Sequence, residues 1–413
     1  MGKQHAGGHR SWNAVIVGAI ATVALGLAAC APTPPTSTTT TTIFSPTPVP
    51  PVVNSFTTVG GIGTSPALVV LGWSVGDANN EPLTCSIDGT GDGVDDVTVT
   101  GCQVAGSTRN FSVSLPPGTT VPATITARLT VDDGNSAPVV ATRSFSLAPG
   151  PTEPFDITLR GSELLSPAES AAFTTAVSRW QQIITRGLPD IASVPSSCLP
   201  VGTAPIVGGV DDIVVDVAVV PIDGPGGVLG SAGPDCINTG NELTIHGSMK
   251  FDTADVAYML AEGTFTDVVM HEMAHVLGFG TLWDETPFGG VRKVVQGVGG
   301  SNPRFSGARG MAEWSQLGGS SNVPVENLGG AGTAGGHWRE STFDDELMTG
   351  YLDPGSNPLS RLTIASLADL GYHVDVSLAA AYTLPVLGSI VRDSALRATP
   401  VEGTMLRPPV GRF

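Results

Sequence analysis

The sequence predicts a multidomain chain, an all-β sandwich followed by an α+β unit, and three observations carry that reading. Residues 53–148 are a succession of short alternating apolar segments broken by turn residues. From residue 156 onward the pattern changes to helical periodicities interleaved with longer apolar strands. Pro-rich breaks separate the pieces, "APTPPTSTTTTTIFSPTPVPP" over 31–51 and "APGPTEP" over 148–154.

With 413 residues there is room for several domains and a sizeable core. Charged residues are only 14% of the chain, below the roughly 25% of an average soluble protein, so Ser, Thr, Asn and Gly carry much of the surface. The formal net charge of -18, with no cluster of Lys and Arg, argues against a nucleic-acid partner, because neutralising phosphates requires concentrated positive charge.

Residues 1–29 have a basic start (Lys3, Arg10) and an apolar run from Trp12 to Ala29, the form of an export signal. The end of that run, "LAAC", resembles the lipobox of bacterial lipoproteins. The resemblance implies cleavage before Cys30, acylation of its thiol, and a chain held to the membrane by an N-terminal lipid anchor outside the cytoplasm. A plain signal peptide or a single membrane span is the simpler alternative. Residues 30–52 then form a Pro/Thr-rich stalk whose extended reach is on the order of 60 Å.

With Cys30 set apart, Cys85, Cys102, Cys198 and Cys236 remain, an even number suited to an oxidising compartment. Four cysteines allow three connectivities. Proximity favours Cys85 with Cys102 and Cys198 with Cys236.

The strands expected in 53–148 are "ALVVLGWSV", "LTCSID", "DDVTVTGC", "NFSVSL", "ATITARLTVDDG" and "VVATRSFSL". This arrangement is similar to the immunoglobulin-like modules that accompany secreted bacterial enzymes, which implies spacing or adhesion rather than chemistry. Within it, Asp88, Asp92 and Asp95 of "DGTGDGVDD" offer calcium ligands, but an acidic hairpin tip without metal explains them as well and with fewer assumptions.

A linker, 149–155, leads to the unit expected over 156–384. Ser166 and Glu169 form a capping box with Pro167 at the first helical position, and Phe173, Val177, Trp180 and Ile184 follow at helical spacing as a core stripe, up to a stop at Gly187. Residues 211–223 and 241–252 read as strands, and "LSRLTIASLADLGY" as a terminal helix ended by Gly371. Between Leu282 and Trp338 the chain is Gly-rich and aperiodic, as expected of a functional insertion. Residues 385–413 read as a loose tail.

The chemistry lies in "DVVMHEMAHVLGFGTLWDE", residues 267–285. His271 and His275, four apart on a helix, project from one face. Glu272 beside them suits a general base that takes a proton from a metal-activated water. Thr264 with Asp267 suggests a cap at the start of this helix. A catalytic zinc takes three protein ligands and leaves one position open, so a third is needed. Gly278 fits the pattern H-E-x-x-H-x-x-G-x-x-H, but the third histidine position holds Thr281, which cannot replace imidazole. Once His5 and His9 leave with the signal, His246, His337 and His373 remain. His246 falls on a predicted strand and His373 on an exposed stretch after the terminal helix. Glu313, Glu326 and Glu340 are carboxylate alternatives.

His337 stands in "GGHWRESTFDDELMTG", eleven residues before Met348. Together with "HEMAHVLGFGTLW" and "DELMTGYLD", this stretch resembles the leishmanolysin-like metzincins, zinc endopeptidases in which a long insertion separates the helix glycine from the third histidine. The resemblance implies a zincin fold and one catalytic zinc on His271, His275 and His337. It implies Glu272 as general base and Met348 as the Met-turn under the metal, and protein or peptide substrates. Tyr351 is placed in core packing rather than at an oxyanion. The rival reading is a surface adhesion or binding lipoprotein with a structural or vestigial metal site.

Overall fold

Residues of alternating size and polarity build seven antiparallel strands in a computed structural model that describes residues 48–59, 63–103, 107–116, 119–283, 294–330, 332–385 and 411–412. The export signal, Cys30, the stalk as far as Thr47 and residues 386–410 of the tail lie outside the described residues. No helix among the described residues is long and apolar enough to cross a membrane.

One sheet orders β1 (Val52–Val59), β2 (Ala67–Gly76) and β5 (Ser107–Val113); the other orders β4 (Val97–Thr100), β3 (Thr84–Asp88), β6 (Ala123–Asp132) and β7 (Val139–Leu147). Leu71 and Trp73 of the first meet Ile87, Leu129 and Val131 of the second in one apolar core. The disulfide Cys85–Cys102, Cα–Cα 6.0 Å, closes the edge. The acidic hairpin serves its own turns: Asp88 accepts from the amides of Gly91 and Gly93, Asp92 from Val94, and Asp95 pairs with Arg128. These carboxylates do not gather around one point.

The following unit is built on a five-stranded sheet. Parallel strands β8 (Ile157–Arg160), β9 (Ile213–Val220) and β11 (Thr244–Asp252) are joined by β10 (Gly230–Ile237), antiparallel to β11. β15 (Gly411–Arg412) pairs with β10 at Cys236 and Ile237. The sequence hides β10 because Gly230, Gly233 and Pro234 interrupt any strand pattern. Cys198–Cys236, Cα–Cα 5.3 Å, fastens the 196–210 loop to it.

Helix α1 (Pro167–Ile183) starts on the expected capping box, with both reciprocal bonds present. It ends four residues before Gly187, because Ile184 turns extended and bridges Val374. Phe173 meets Phe251 and Phe265 edge-on, and Trp180 Nε1 donates to the Met270 carbonyl at 3.1 Å, locking α1 onto the helix that carries the histidines.

Helix α2 (Thr253–Glu262) is capped by Asp252, whose carboxyl is held down to about 2 by amide donors led by Ala254. It runs through left-handed Gly263 into α3 (Phe265–Val276). Thr264 gives α3 no side-chain cap, contrary to expectation; its hydroxyl faces the Met259 carbonyl, and Asp267 accepts from Asn357.

The aperiodic stretch contains short elements: β12 (Val295–Gln296), β13 (Arg304–Phe305) and β14 (Val323–Pro324) form a small sheet beside α4 (Ala308–Gln316). α5 (Glu340–Phe343) and α6 (Arg361–Leu370) follow, α6 ending on left-handed Gly371 as expected. His373 is half-buried rather than exposed, and burial holds its imidazole down to about 4.

The sandwich packs directly on this unit. Ser112 and Ser114 hydroxyls donate to the carbonyls of Leu370 and Gly371 at the end of α6. Arg186, 3% exposed, donates to the carbonyls of Leu115, Pro116, Gly150 and Pro151, so the Pro-rich break at 148–154 is pinned rather than free.

Candidate metal centre

The site begins with the spacing on α3. His271 and His275 lie one turn apart on a helix whose other faces, Val268, Val269, Met273 and Ala274, are buried in the main core. Gly278, at φ 109°, turns the chain out of the helix in a conformation that side chains rarely adopt. Two residues on, a Cβ at Gly280 would lie 2.1 Å from the Gly336 carbonyl. Only glycine lets the end of α3 touch the segment that brings His337 in, sixty-two residues beyond His275.

The three Nε2 atoms converge: His271 to His275 2.9 Å, His275 to His337 3.0 Å, His271 to His337 3.1 Å. Each Nδ1 faces a backbone carbonyl, Leu347 for His271 (2.7 Å), Phe279 for His275 (2.9 Å) and Thr333 for His337 (2.9 Å). A neutral imidazole has one N–H, and here the carbonyl takes it at Nδ1. Three bare Nε2 lone pairs then point at one spot with no proton to share. That arrangement repels itself unless a cation stands there, and nitrogens about 2.0–2.1 Å from one zinc lie roughly 3.3 Å apart at tetrahedral angles. The donor set therefore fits zinc.

All three rings are buried, at 0–2% exposure. Burial, followed by the charge of neighbouring imidazoles, holds His271 down to about 3 and His275 well below the ordinary range; burial alone holds His337 down to about 4. At neutral pH the histidines are thus uncharged and ready to ligate.

Glu272 is fully buried on the same helix. A Cβ at Gly230, the first residue of β10, would come 2.8 Å from its Oε1, so that glycine makes room for the carboxylate. Met348 is fully buried in a loop that touches two of the histidine-bearing segments: the Leu347 carbonyl meets His271, and Trp338 N donates to the Met348 carbonyl at 2.9 Å. Behind the site Phe279, Trp283, Trp338 and Phe305 form an aromatic cluster with ring centroids 4.5–5.4 Å apart.

The other candidates stand elsewhere. Thr281 closes the end of α3 by donating to the His275 carbonyl at 2.7 Å. His246 faces Asp216 and Asp235 on the sheet. Glu313 pairs with Arg361. Glu326 accepts from the amides of Asn327, Leu328 and Glu340, and Glu340 gathers with Asp344 and Asp353. Tyr351 is half-buried. Among the described residues the group that holds the three histidines contains no fourth His, Cys, Asp or Glu. Sequence reading missed Gly230 and Glu346, and the three carbonyls that orient the imidazoles. A carbonyl carries no sequence signal, whereas a glutamate two residues before Met348 in a buried stretch does.

Part of the chain is similar to known proteins. A family model described as Leishmanolysin, a peptidase family, matches residues 190–386. A leishmanolysin homolog from Crithidia fasciculata is 33% identical over 111 residues, 25% of this chain and 16% of that protein. Leishmanolysin from Leishmania major is 33% identical over 112 residues, 26% and 18% respectively, and that from Leishmania donovani 34% over 113 residues, 26% and 19%. The match thus spans less than a fifth of each relative's length. Among solved structures, the PKD1 domain of Vibrio anguillarum Epp (19% identity, TM-score 0.17) covers 24% of this chain and 96% of that one. The PKD domain of human VPS10 domain-containing receptor SorCS2 (11%, TM-score 0.19) covers 30% and 96%.

Proposed function

We propose that the chain is a zinc-dependent endopeptidase acting on proteins or peptides outside the cytoplasm. The observation that carries this is the convergence of three buried Nε2 atoms beside a buried glutamate that shares a helix with two of them. The leishmanolysin match supports a metalloprotease in general terms. His271, His275 and His337 would hold the zinc and Glu272 would be the base. When bound, zinc supplies a Lewis acid for the scissile carbonyl and lowers the pKa of water to about 7. Glu272 takes the proton of the attacking water and passes it to the departing amine nitrogen. Met348 and the aromatic cluster keep the pocket apolar and the ligand loop in place. A purely structural zinc closes its shell with a fourth protein ligand and has no use for a base, which disfavours an adhesion protein with a structural metal.

Hydrolysis of an unstructured protein by the ectodomain, with and without a chelator, tests this against Glu272→Gln. Chelation and the substitution should each lower the rate by about 10³-fold or more; equal rates in all three would end the proposal.

The two disulfides suit an oxidising compartment. We further propose that Cys30 is acylated after removal of residues 1–29. Cys30→Ser should move the protein from the membrane fraction to the medium; a variant that stays membrane-bound would contradict the anchor.

A further inference from the structure

We infer that Glu346 is a positioning residue for the metal ligands, joining His271 and His337 through one buried carboxylate; the inference rests on the reading of the three histidines as a zinc site. Glu346 has no exposed surface, yet it does not face the histidines. Its Oε2 accepts from the amide of Met348 at 2.6 Å. Its Oε1 accepts from the amide of Ser360 (3.1 Å), the hydroxyl of Ser360 (2.6 Å) and the hydroxyl of Thr363. Its carbonyl accepts from the amide of Thr349, and the amide of Leu347 is held by Pro358. Residues 346–349 are thereby fixed as a tight loop against the start of α6.

Two branches lead from this loop to the ligands. The first is the Leu347 carbonyl, one residue from Glu346 and 2.7 Å from His271 Nδ1, which sets the tautomer and the ring direction of that histidine. The second runs through Thr363, whose hydroxyl donates to Glu346 and accepts from Trp338 Nε1 at 2.8 Å. Trp338 follows His337 directly, and its amide donates to the Met348 carbonyl at 2.9 Å. One carboxylate therefore holds both the carbonyl that orients His271 and the indole that anchors His337. Four donors on one buried carboxylate exceed what a loop of this length needs for its own amides, and the surplus goes to α6 and, through Thr363, to Trp338.

Glu346→Gln keeps the volume but must turn an NH2 group toward the Met348 N–H or toward the Ser360 and Thr363 donors, so one branch loses its acceptor. Thr363→Val leaves Glu346 in place and cuts only the branch to Trp338. The measurements are zinc affinity by chelator competition, the visible spectrum of the cobalt(II)-loaded protein, kcat and KM separately, and melting of the metal-free protein. Glu346→Gln should weaken zinc about 10- to 100-fold, shift the cobalt bands and lower kcat with little change in KM. Thr363→Val should weaken zinc several-fold, and it decides the matter if Glu346→Gln does not fold. If both variants keep wild-type zinc affinity and cobalt spectrum and lose only melting temperature, Glu346 is a structural residue and the inference is overturned. A wild-type protein that takes up no zinc overturns the underlying metal site instead, before any variant is compared.

Discussion

The sandwich and the α+β unit both bury charged groups, but they satisfy them differently. In the sandwich, buried Asp88 and Asp133 accept from amides two to five residues away, so each carboxylate simply makes its own turn. In the α+β unit His271, Glu272 and His275 meet His337 from across a long insertion, and Glu346 takes donors from Ser360 and Thr363. Local satisfaction repays the cost of burial within one turn. Convergence of distant titratable groups has no such return, and a fold that keeps it is spending stability on a site. The contrast sets the proposed chemistry in the second unit; the buried carboxylates Asp88 and Asp133 of the first serve their own turns.

The most severe way to break that contrast is to remove the ligand supplied from afar. His337→Ala should reduce bound zinc from about one equivalent to nearly none and abolish hydrolysis, since two imidazoles do not make a three-ligand site. Metal analysis and circular dichroism of the same sample check it, the latter expected to show the sandwich still folded. Thr281→Ala should leave zinc in place. Retention of zinc by His337→Ala would erase the distinction.

A second, smaller effect concerns the support. Arg186 is a buried guanidinium holding four carbonyls, Leu115 and Pro116 at the end of the sandwich sheet and Gly150 and Pro151 within the Pro-rich break. Arg186→Met should cost about 2–4 kcal/mol by leaving those carbonyls without donors. Calorimetry should then resolve separate melting of the sandwich and the α+β unit. A single unshifted transition would show that the sandwich lends no stability through this contact.

The smallest effect comes from a carboxylate of the α+β unit that draws its amide donors from α4, fifty-nine and sixty residues away in sequence. Asp369 accepts from the amides of Arg309 and Gly310, and burial nonetheless pushes its carboxyl up to about 7. A carboxyl raised in the folded state favours folding while protonated. Its contribution is complete below about 4 and is lost as the pH rises through about 7. Relative to Asp369→Asn, the wild type should lose roughly 1 kcal/mol between pH 4 and pH 7.5, after allowance for partial exposure. Parallel melting curves against pH for the two proteins would remove Asp369 from the account.

What the sequence determined by itself is what short-range patterns encode. The capping box of α1, the stop at Gly371, the pair on α3 and the alternation of the sandwich strands each lie within a few residues, where helix and strand periods act directly. His337 was legible only through resemblance, because nothing in the sixty-two-residue step from His275 states that Gly280 will touch Gly336. β10 was not legible, since its glycines and proline deny it a strand pattern; pairing with β11, the Cys198 bridge and the need to clear Glu272 make it a strand. The carbonyls of Leu347, Phe279 and Thr333 were beyond any reading of side chains, for every residue has one and only its direction matters. The end of α1 at Ile183 was set by a bridge to Val374, nearly two hundred residues away, rather than by Gly187. Tertiary structure decided these features because each depends on a partner brought near by the packing of the core, and that proximity has no period in the sequence.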